Sequence, residues 1–276
     1  MNEFLATSVG TYLSYCTAFC IRYFAVAGGI YWCFHVLFKQ QWLVYRIQQE
    51  FPARNEVVHA IRWSMVNMAC TGLFTILFGV LIHAGGTRMY FGLADHGWPY
   101  LGFSVLAVLL GYDAWMYWEH RLMHTPWLFR HVHAVHHRTA NPTAFSTFAC
   151  HPLEAFMNNA YFLLFAVLVP VHPVAIAVVG GFMFVVGLVG HLGYEFYPAG
   201  FTRHHLFQWF NTSTHHNLHH SAVGCNYTIW LNCWDRLMGT NHPRYHDAFD
   251  ALTQRPRVMP PLSSIAHSEA VSREAA

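Results

Sequence analysis

Three short stretches set histidines at helical spacing: His120-Arg-Leu-Met-His124, His133-Ala-Val-His136-His137 and His216-Asn-Leu-His219-His220. Residues three and four apart lie on one face of a helix, so each stretch can aim two or three imidazoles at a common point. Neutral imidazole is a common metal ligand, and the three stretches hold more imidazoles than one ion can use, which implies two metals. Nitrogen donors favour a transition metal over magnesium or calcium, whose ligands are oxygens. Iron both tolerates imidazole and activates dioxygen. Zinc is the rival, yet a zinc site closes with four ligands. The zinc-peptidase pattern His-Glu-x-x-His is also missing, since Glu119 stands before His120. Hydrolysis is therefore the weaker reading.

Neighbouring polar residues offer support to such a site. Asp113 stands seven residues before His120 and on nearly the same helical face, where a carboxylate can accept the N–H of a ligand imidazole. A helix cap or an interhelical hydrogen bond is the alternative. Glu119, Glu154, Glu195 and Asp235 are open to the same supporting role. His215 directly precedes the third stretch, and adjacent helical residues point about 100° apart, so it is a candidate either for a further metal ligand or for the layer behind the ligands. His131, His204 and His205 lie beside the motifs and fit that layer or a lipid headgroup. Lone histidines at a membrane boundary are mostly hydrogen-bonded interfacial residues, and His35, His59, His83, His96, His172, His242, His246 and His267 are read that way.

The elements that must position these residues are greasy. Hydrophobic residues make up 55% of the 276 and charged residues only 10%, against about 25% charged in an average soluble domain. A polytopic membrane protein follows. A formal net charge of +2 argues against a nucleic-acid partner, which calls for a basic stripe. The seven cysteines form no Cys-x-x-Cys pair, which weakens iron–sulfur, zinc-ribbon and secreted disulfide readings.

Apolar stretches fall at residues 12–38, interrupted by Arg22, at 66–84 and at 99–118. Each is long enough as a helix to cross a hydrocarbon core of about 30 Å. A further block at 155–190 is broken at Pro170-Val-His-Pro173 and reads as a tight helical hairpin that crosses fully or dips in and returns. The N-terminus lacks the basic region and the clear cleavage site of a removed signal, so it is expected to stay as the first helix. Aromatic residues at 115–127 and 227–234 read mostly as an interfacial belt. Lys39, Arg46, Arg54 and Arg62 crowd the loop before the second span, whereas the next loop holds only Arg88. The positive-inside rule then puts the first loop, and with it all three histidine stretches, in the cytoplasm. The expected architecture is an all-α integral membrane protein with about four transmembrane helices, one pair open to being a shallow hairpin, under a cytosolic helical cap that carries a dinuclear metal site. Residues 1–250 form this single domain, and residues 251–276 read as a disordered tail.

The order of motifs resembles the fatty acid hydroxylase superfamily, and within it the sterol desaturases and related sterol oxidases. The resemblance covers roughly residues 120–240. It rests on the three histidine stretches, on residues 145–154 with the His151-Pro152 step, on His191-Leu-Gly-Tyr-Glu195 and on Phe210-Asn-Thr-Ser-Thr-His-His. Residues 226–240, with Trp234-Asp235-Arg236, complete it. Carried over residue by residue, it makes His120, His124, His133, His136, His137, His216, His219 and His220 metal ligands and adds His191 as a further one. His151 matches the family as a ligand or as a group that orients one. The first stretch has three intervening residues where the fatty-acid hydroxylases proper often have four, which leans toward the sterol-type branch.

The resemblance implies a two-iron centre at the cytosolic face of a bacterial inner membrane or of the endoplasmic reticulum, with dioxygen as co-substrate and zinc as a substitute on overexpression. Electrons would come from an external donor such as a ferredoxin, a cytochrome b5-like protein or a reductase. The implied activity is hydroxylation or desaturation of an unactivated C–H bond of a lipid, a sterol-like or isoprenoid one first and a fatty-acyl chain second. A zinc-dependent membrane hydrolase and a metal-handling transporter are the readings from other classes.

Overall fold

The structure, a computed structural model, describes residues 2–255. Every regular element among them is helical, and extended segments meet only at three isolated bridges. The first helix, α1 (Asn2–Arg22), runs on through π-helical turns at Tyr23–Gly28 and Trp32–Leu37. It is followed by α2 (Arg54–His83), α3 (Gly97–Met123), the short α4 (Ala134–His137), α5 (Pro152–Leu168) and α6 (Pro173–Gly190). Then come α7 (Ser213–Ser221), α8 (Cys233–Leu237) and α9 (Tyr245–Thr253). Four rods are long and apolar enough to cross a bilayer: Thr7–Leu37, Arg54–His83, Gly97–Met123 and Pro173–Gly190. Leu13, Leu73, Leu77, Leu106, Leu110 and Val185 on these rods face outward, the side that lipid covers. The protein is an all-α integral membrane protein.

α5 and α6 start by the same device. His151 and His172 each precede a proline at the first helical position, and each ring Nδ1 accepts the N–H two residues on, from Leu153 at 3.1 Å and from Val174 at 3.2 Å. Proline has no N–H to satisfy there, and the imidazole takes the next orphan donor.

α5 then runs back along α3. The Trp115 indole N–H donates to Met157 O at 3.1 Å, the Tyr161 hydroxyl to Val108 O at 3.0 Å and the Tyr100 hydroxyl to Pro170 O at 3.0 Å. The approach depends on Gly111, where a Cβ would collide with the Tyr161 hydroxyl. At the hairpin tip, Arg88 N–H donates to Ala166 O and Tyr90 N–H to Val171 O, so the tip lies against the loop between α2 and α3. With 17 and 18 residues, α5 and α6 are about 26 Å long. The hairpin tip reaches the end of the bundle where α2 and α3 are joined.

Helix ends depart from the hydropathy reading. α2 begins at Arg54 instead of residue 66, so Arg54 and Arg62 sit in its first turns and not in a loop. Hydropathy registers the greasy part of a helix and misses turns that carry on past it. For the same reason α3 continues beyond residue 118 to Met123, with His124 as its C-cap. Residues 251–253, assigned to a tail, belong to α9, where Phe249 and Leu252 are buried. Gln254 caps that helix, and residues 256–276 of the tail lie outside the described residues.

Candidate metal centre

His120 and His124 stand at the end of α3, and His133 closes a π-helical turn that leads into α4 with His136 and His137. His191 caps the C-terminus of α6, and His216, His219 and His220 lie on α7. These histidines gather into two groups. His120, His124, His133, His137 and His219 each offer a ligand atom within 4.8 Å of the others, and so do His136, His191, His216 and His220. The sequence aims each stretch at one point, but the structure divides two of the three. His133 and His137 face the first pocket while His136 faces the second; His216 and His220 face the second while His219 faces the first. Residues i and i+4 share a helical face, and the residue between them at i+3 points about 100° away from i+4.

Main-chain carbonyls determine which ring nitrogen points inward. His120 Nδ1 lies 2.7 Å from Tyr227 O, His219 Nδ1 2.7 Å from Cys225 O, His191 Nδ1 2.8 Å from Gly187 O and His136 Nδ1 3.1 Å from Ala149 O. A carbonyl only accepts, so Nδ1 carries the proton and Nε2 presents a lone pair. His133 Nδ1 faces a carboxyl oxygen in place of a carbonyl, Glu154 Oε2 at 3.1 Å. The inward Nε2 atoms then meet lone pair to lone pair, His191 against His136 at 3.3 Å and His120 against His133 at 3.0 Å. Without a shared proton these are not hydrogen bonds. Two nitrogens about 2.1 Å from one ion and at right angles around it are about 3.0 Å apart. The spacings of His216 to His191, 3.0 Å, and of His137 to His219, 3.0 Å, repeat that value. The donors in both pockets therefore fit a cation. Burial, reinforced by neighbouring imidazoles, pushes His133, His136, His216, His219 and His220 well below the usual histidine value and lowers His137 to about 3. All are neutral and ready to ligate at pH 7.

A layer of polar contacts holds these rings. Buried Asp235 accepts from Tyr227 N–H at 3.0 Å, from Thr228 N–H at 2.8 Å and from the hydroxyls of Thr228 and Thr240. Burial works against its charge, but His215 and these donors hold the carboxyl below its usual value. The loop it anchors delivers the carbonyl that orients His120. Asn226 turns that loop at φ 58°, a left-handed conformation that asparagine tolerates, and its amide donates to His215 O at 2.9 Å. Asp113 accepts Leu231 N–H at 3.1 Å instead of a ligand N–H, so it holds the same loop one step further back. The Glu195 carboxylate accepts Thr214 N–H at 2.9 Å and the Thr214 hydroxyl at 2.8 Å in the first turn of α7, where a negative charge also complements the helix dipole.

His215 and His151 fall outside both pockets. His215 is fully buried with Nε2 3.1 Å from Asn241 Oδ1 and 3.5 Å from Asp235 Oδ2, and it faces away from its neighbour His216. His151 caps α5, the helix that brings Glu154 to His133. The seven interfacial histidines of residues 35–246 lie in neither group, nor do His131, His204 and His205; His267 is outside the described residues. Tyr227, assigned to the aromatic belt, is buried with its ring 5.1 Å from that of His124. The orienting carbonyls of Tyr227, Cys225, Gly187 and Ala149 leave no side-chain signal in the sequence.

A cavity of about 260 Å³ opens on both pockets, with His120 and His133 from one and His136, His191 and His216 from the other in its wall. Away from the histidines it is lined by Phe19, Tyr112, Met116, Phe162, Met183 and Phe184, drawn from α1, α3, α5 and α6. It runs from the metal pockets in among the membrane helices.

The fatty acid hydroxylase family pattern matches residues 105–240, which contain all nine clustered histidines. Among curated proteins, rat lathosterol oxidase is 26% identical over 243 residues, covering 87% of this chain and 74% of its own. A Delta(7)-sterol 5(6)-desaturase of Gibberella zeae is 26% identical over 207 residues, covering 75% of this chain and 62% of its own. Rat cholesterol 25-hydroxylase is 32% identical over 137 residues, 49% of this chain and 46% of its own. No solved structure matches significantly. With the motifs, the paired pockets and these relatives in agreement, residues 105–240 carry a fatty acid hydroxylase domain, and the chain is similar to the sterol desaturase-like branch of that superfamily.

Proposed function

We propose that the protein is an oxygen-dependent di-iron oxidoreductase that hydroxylates or desaturates an unactivated C–H bond of a membrane lipid, with a sterol-like or isoprenoid lipid as its substrate. The observation that carries this reading is the pair of imidazole pockets opening on one cavity among membrane helices. Nine neutral nitrogen donors exceed what one four-coordinate zinc uses, which favours iron over a zinc hydrolase. Their gathering at one end of the bundle argues against a transporter, whose ligands would be strung along a path across the bilayer. The named activities of the relatives, sterol desaturation, lathosterol oxidation and cholesterol hydroxylation, support a lipid substrate and an oxidative reaction.

The chain's own residues divide the work. His120, His124, His133, His137 and His219 would hold one iron, and His136, His191, His216 and His220 the other. Bound iron would supply dioxygen activation and the redox capacity to break a strong C–H bond. The carbonyls behind His120, His136, His191 and His219 keep those Nε2 atoms free of a proton and aimed inward. The apolar wall of Tyr112, Met116, Phe162, Met183 and Phe184 excludes water and fixes the lipid against the histidines. At about 260 Å³ the cavity is smaller than the roughly 300 Å³ at which pockets for whole drug-sized ligands begin, so it takes the reacting part of the lipid and leaves the rest in the bilayer.

The active face is assigned to the cytosol because Lys39, Arg46, Arg54 and Arg62 lie at the histidine end and, among the described residues, Arg88 alone at the other. An external electron donor would meet it there. Iron-loaded protein supplied with such a donor should consume oxygen and alter a sterol-like lipid by loss of two hydrogens or gain of one oxygen. A change confined to acyl chains would move the substrate to the fatty-acid side of the family, and oxygen-independent turnover would remove the oxidase reading.

A further inference from the structure

Away from the histidine end, the cavity wall holds a buried polar atom with no hydrogen-bond partner. Asn67, Thr71, Asn158 and Asn159 all line the cavity. Asn67 donates to Phe148 O at 2.9 Å and accepts from the Thr71 hydroxyl at 2.9 Å, and Asn159 donates to Ala155 O at 2.7 Å. The buried Asn158 Oδ1 has no hydrogen-bond partner. Turning the amide over would merely exchange the orphan oxygen for an orphan NH₂. An unpaired amide among membrane helices is costly, and no local job such as a cap or a helix contact offsets it here. Glu119 and Glu154 also bear unpaired oxygens, but they lie at the histidine end, Glu154 directly against His133. Asn158 is one turn deeper, about 6 Å along α5 from Glu154.

We propose that Asn158 is a specificity-determining residue that hydrogen-bonds an oxygen function of the lipid, a hydroxyl above all. The inference rests on the reading that this cavity receives the lipid to be oxidised. An amide offers one acceptor and two donors, the complement of a hydroxyl that both donates and accepts. Its position limits the substrate: the oxygen function must lie within a few bonds of the carbon that is oxidised, because one helical turn separates Asn158 from the residue touching His133. A plain hydrocarbon segment would leave the amide unpaired and is discriminated against for that reason. Lining residues on α3 and α6 run from Glu119 back to Tyr112 and from Gly187 back to Gly180, a depth of about 10 Å. Asn158 therefore sits part-way down the cavity and not at its mouth.

Binding tests this apart from turnover. Metal-loaded protein in nanodiscs is titrated with two probe pairs, lathosterol with its deoxy analogue and octadecanol with octadecane. At least one hydroxylated probe should bind about tenfold tighter than its hydrocarbon partner, the worth of one satisfied polar pair. Asn158→Leu should remove that preference by weakening the hydroxylated probe and strengthening its hydrocarbon partner, and Asn158→Ser, which keeps a hydrogen-bonding group, should restore part of it. Each variant is checked for unchanged metal content and thermal unfolding, and Asn158→Ser alone carries the test if the leucine variant does not fold. Equal binding within both pairs, no binding of either hydroxylated probe, or a preference that survives Asn158→Leu and Asn158→Ser undiminished would overturn the assignment. Oxygen-dependent product formation is a separate measurement, so the oxidase reading can stand or fall without it.

Discussion

His136 and His137 are neighbours in the chain and face different pockets, as are His219 and His220. That division sets a stoichiometric expectation. His137→Ala should reduce iron from about two per chain toward one by emptying the five-donor pocket, and His136→Ala should do so by emptying the other. Turnover should be lost in both, as in His124→Ala and His219→Ala, while His83→Ala keeps full metal and activity. Two irons retained in both variants would show that the pockets are misassigned. Asp235→Asn removes the charge that holds the loop behind His120, so metal affinity should fall about 10- to 100-fold while the protein still inserts in the membrane, as read by chelator competition. The histidines were legible from type and spacing alone. Their partition was not, because it depends on how α4 and α7 are turned relative to each other. The orienting carbonyls were illegible in principle, since every residue has one.

At the scale of helices, close packing in the membrane relies on small residues where rods approach. Gly111→Ala puts a methyl group against the Tyr161 hydroxyl and should destabilise the α3–α5 contact by about 1–3 kcal/mol, seen as a lower unfolding midpoint in detergent. Adding Tyr161→Phe should recover part of the loss, whereas an unchanged midpoint in Gly111→Ala would mean that the helices are further apart than described. The apolar blocks of the sequence located every long helix. They did not locate the ends of α2 and α3, because a helix that leaves the hydrocarbon turns polar without ending: Arg54 and Arg62 are helical, and so is His120. His151 shows the converse, a His-Pro step that reads as chemistry and works as a helix start, and His172, read as interfacial, starts α6 in the same way.

For the molecule as a whole, the structure puts the α2–α3 loop and the α5–α6 tip at one end and the histidines at the other. Cysteine labelling should therefore find Arg54 and Ser221 positions on one side of the membrane and the Asp95 position on the opposite side; Asp95 and Ser221 on the same side would break the topology. That the three stretches share one end was predictable from charge and span counting, whereas the cavity joining them to the bilayer required five helices to be packed. The most direct test of the central claim is mass spectrometry of lipids incubated with iron-loaded protein, an electron donor and ¹⁸O₂. The account predicts a sterol-like lipid that has lost two hydrogens or gained one labelled oxygen, abolished without oxygen and in His136→Ala. A product formed equally without oxygen, or by protein holding only zinc, would contradict it.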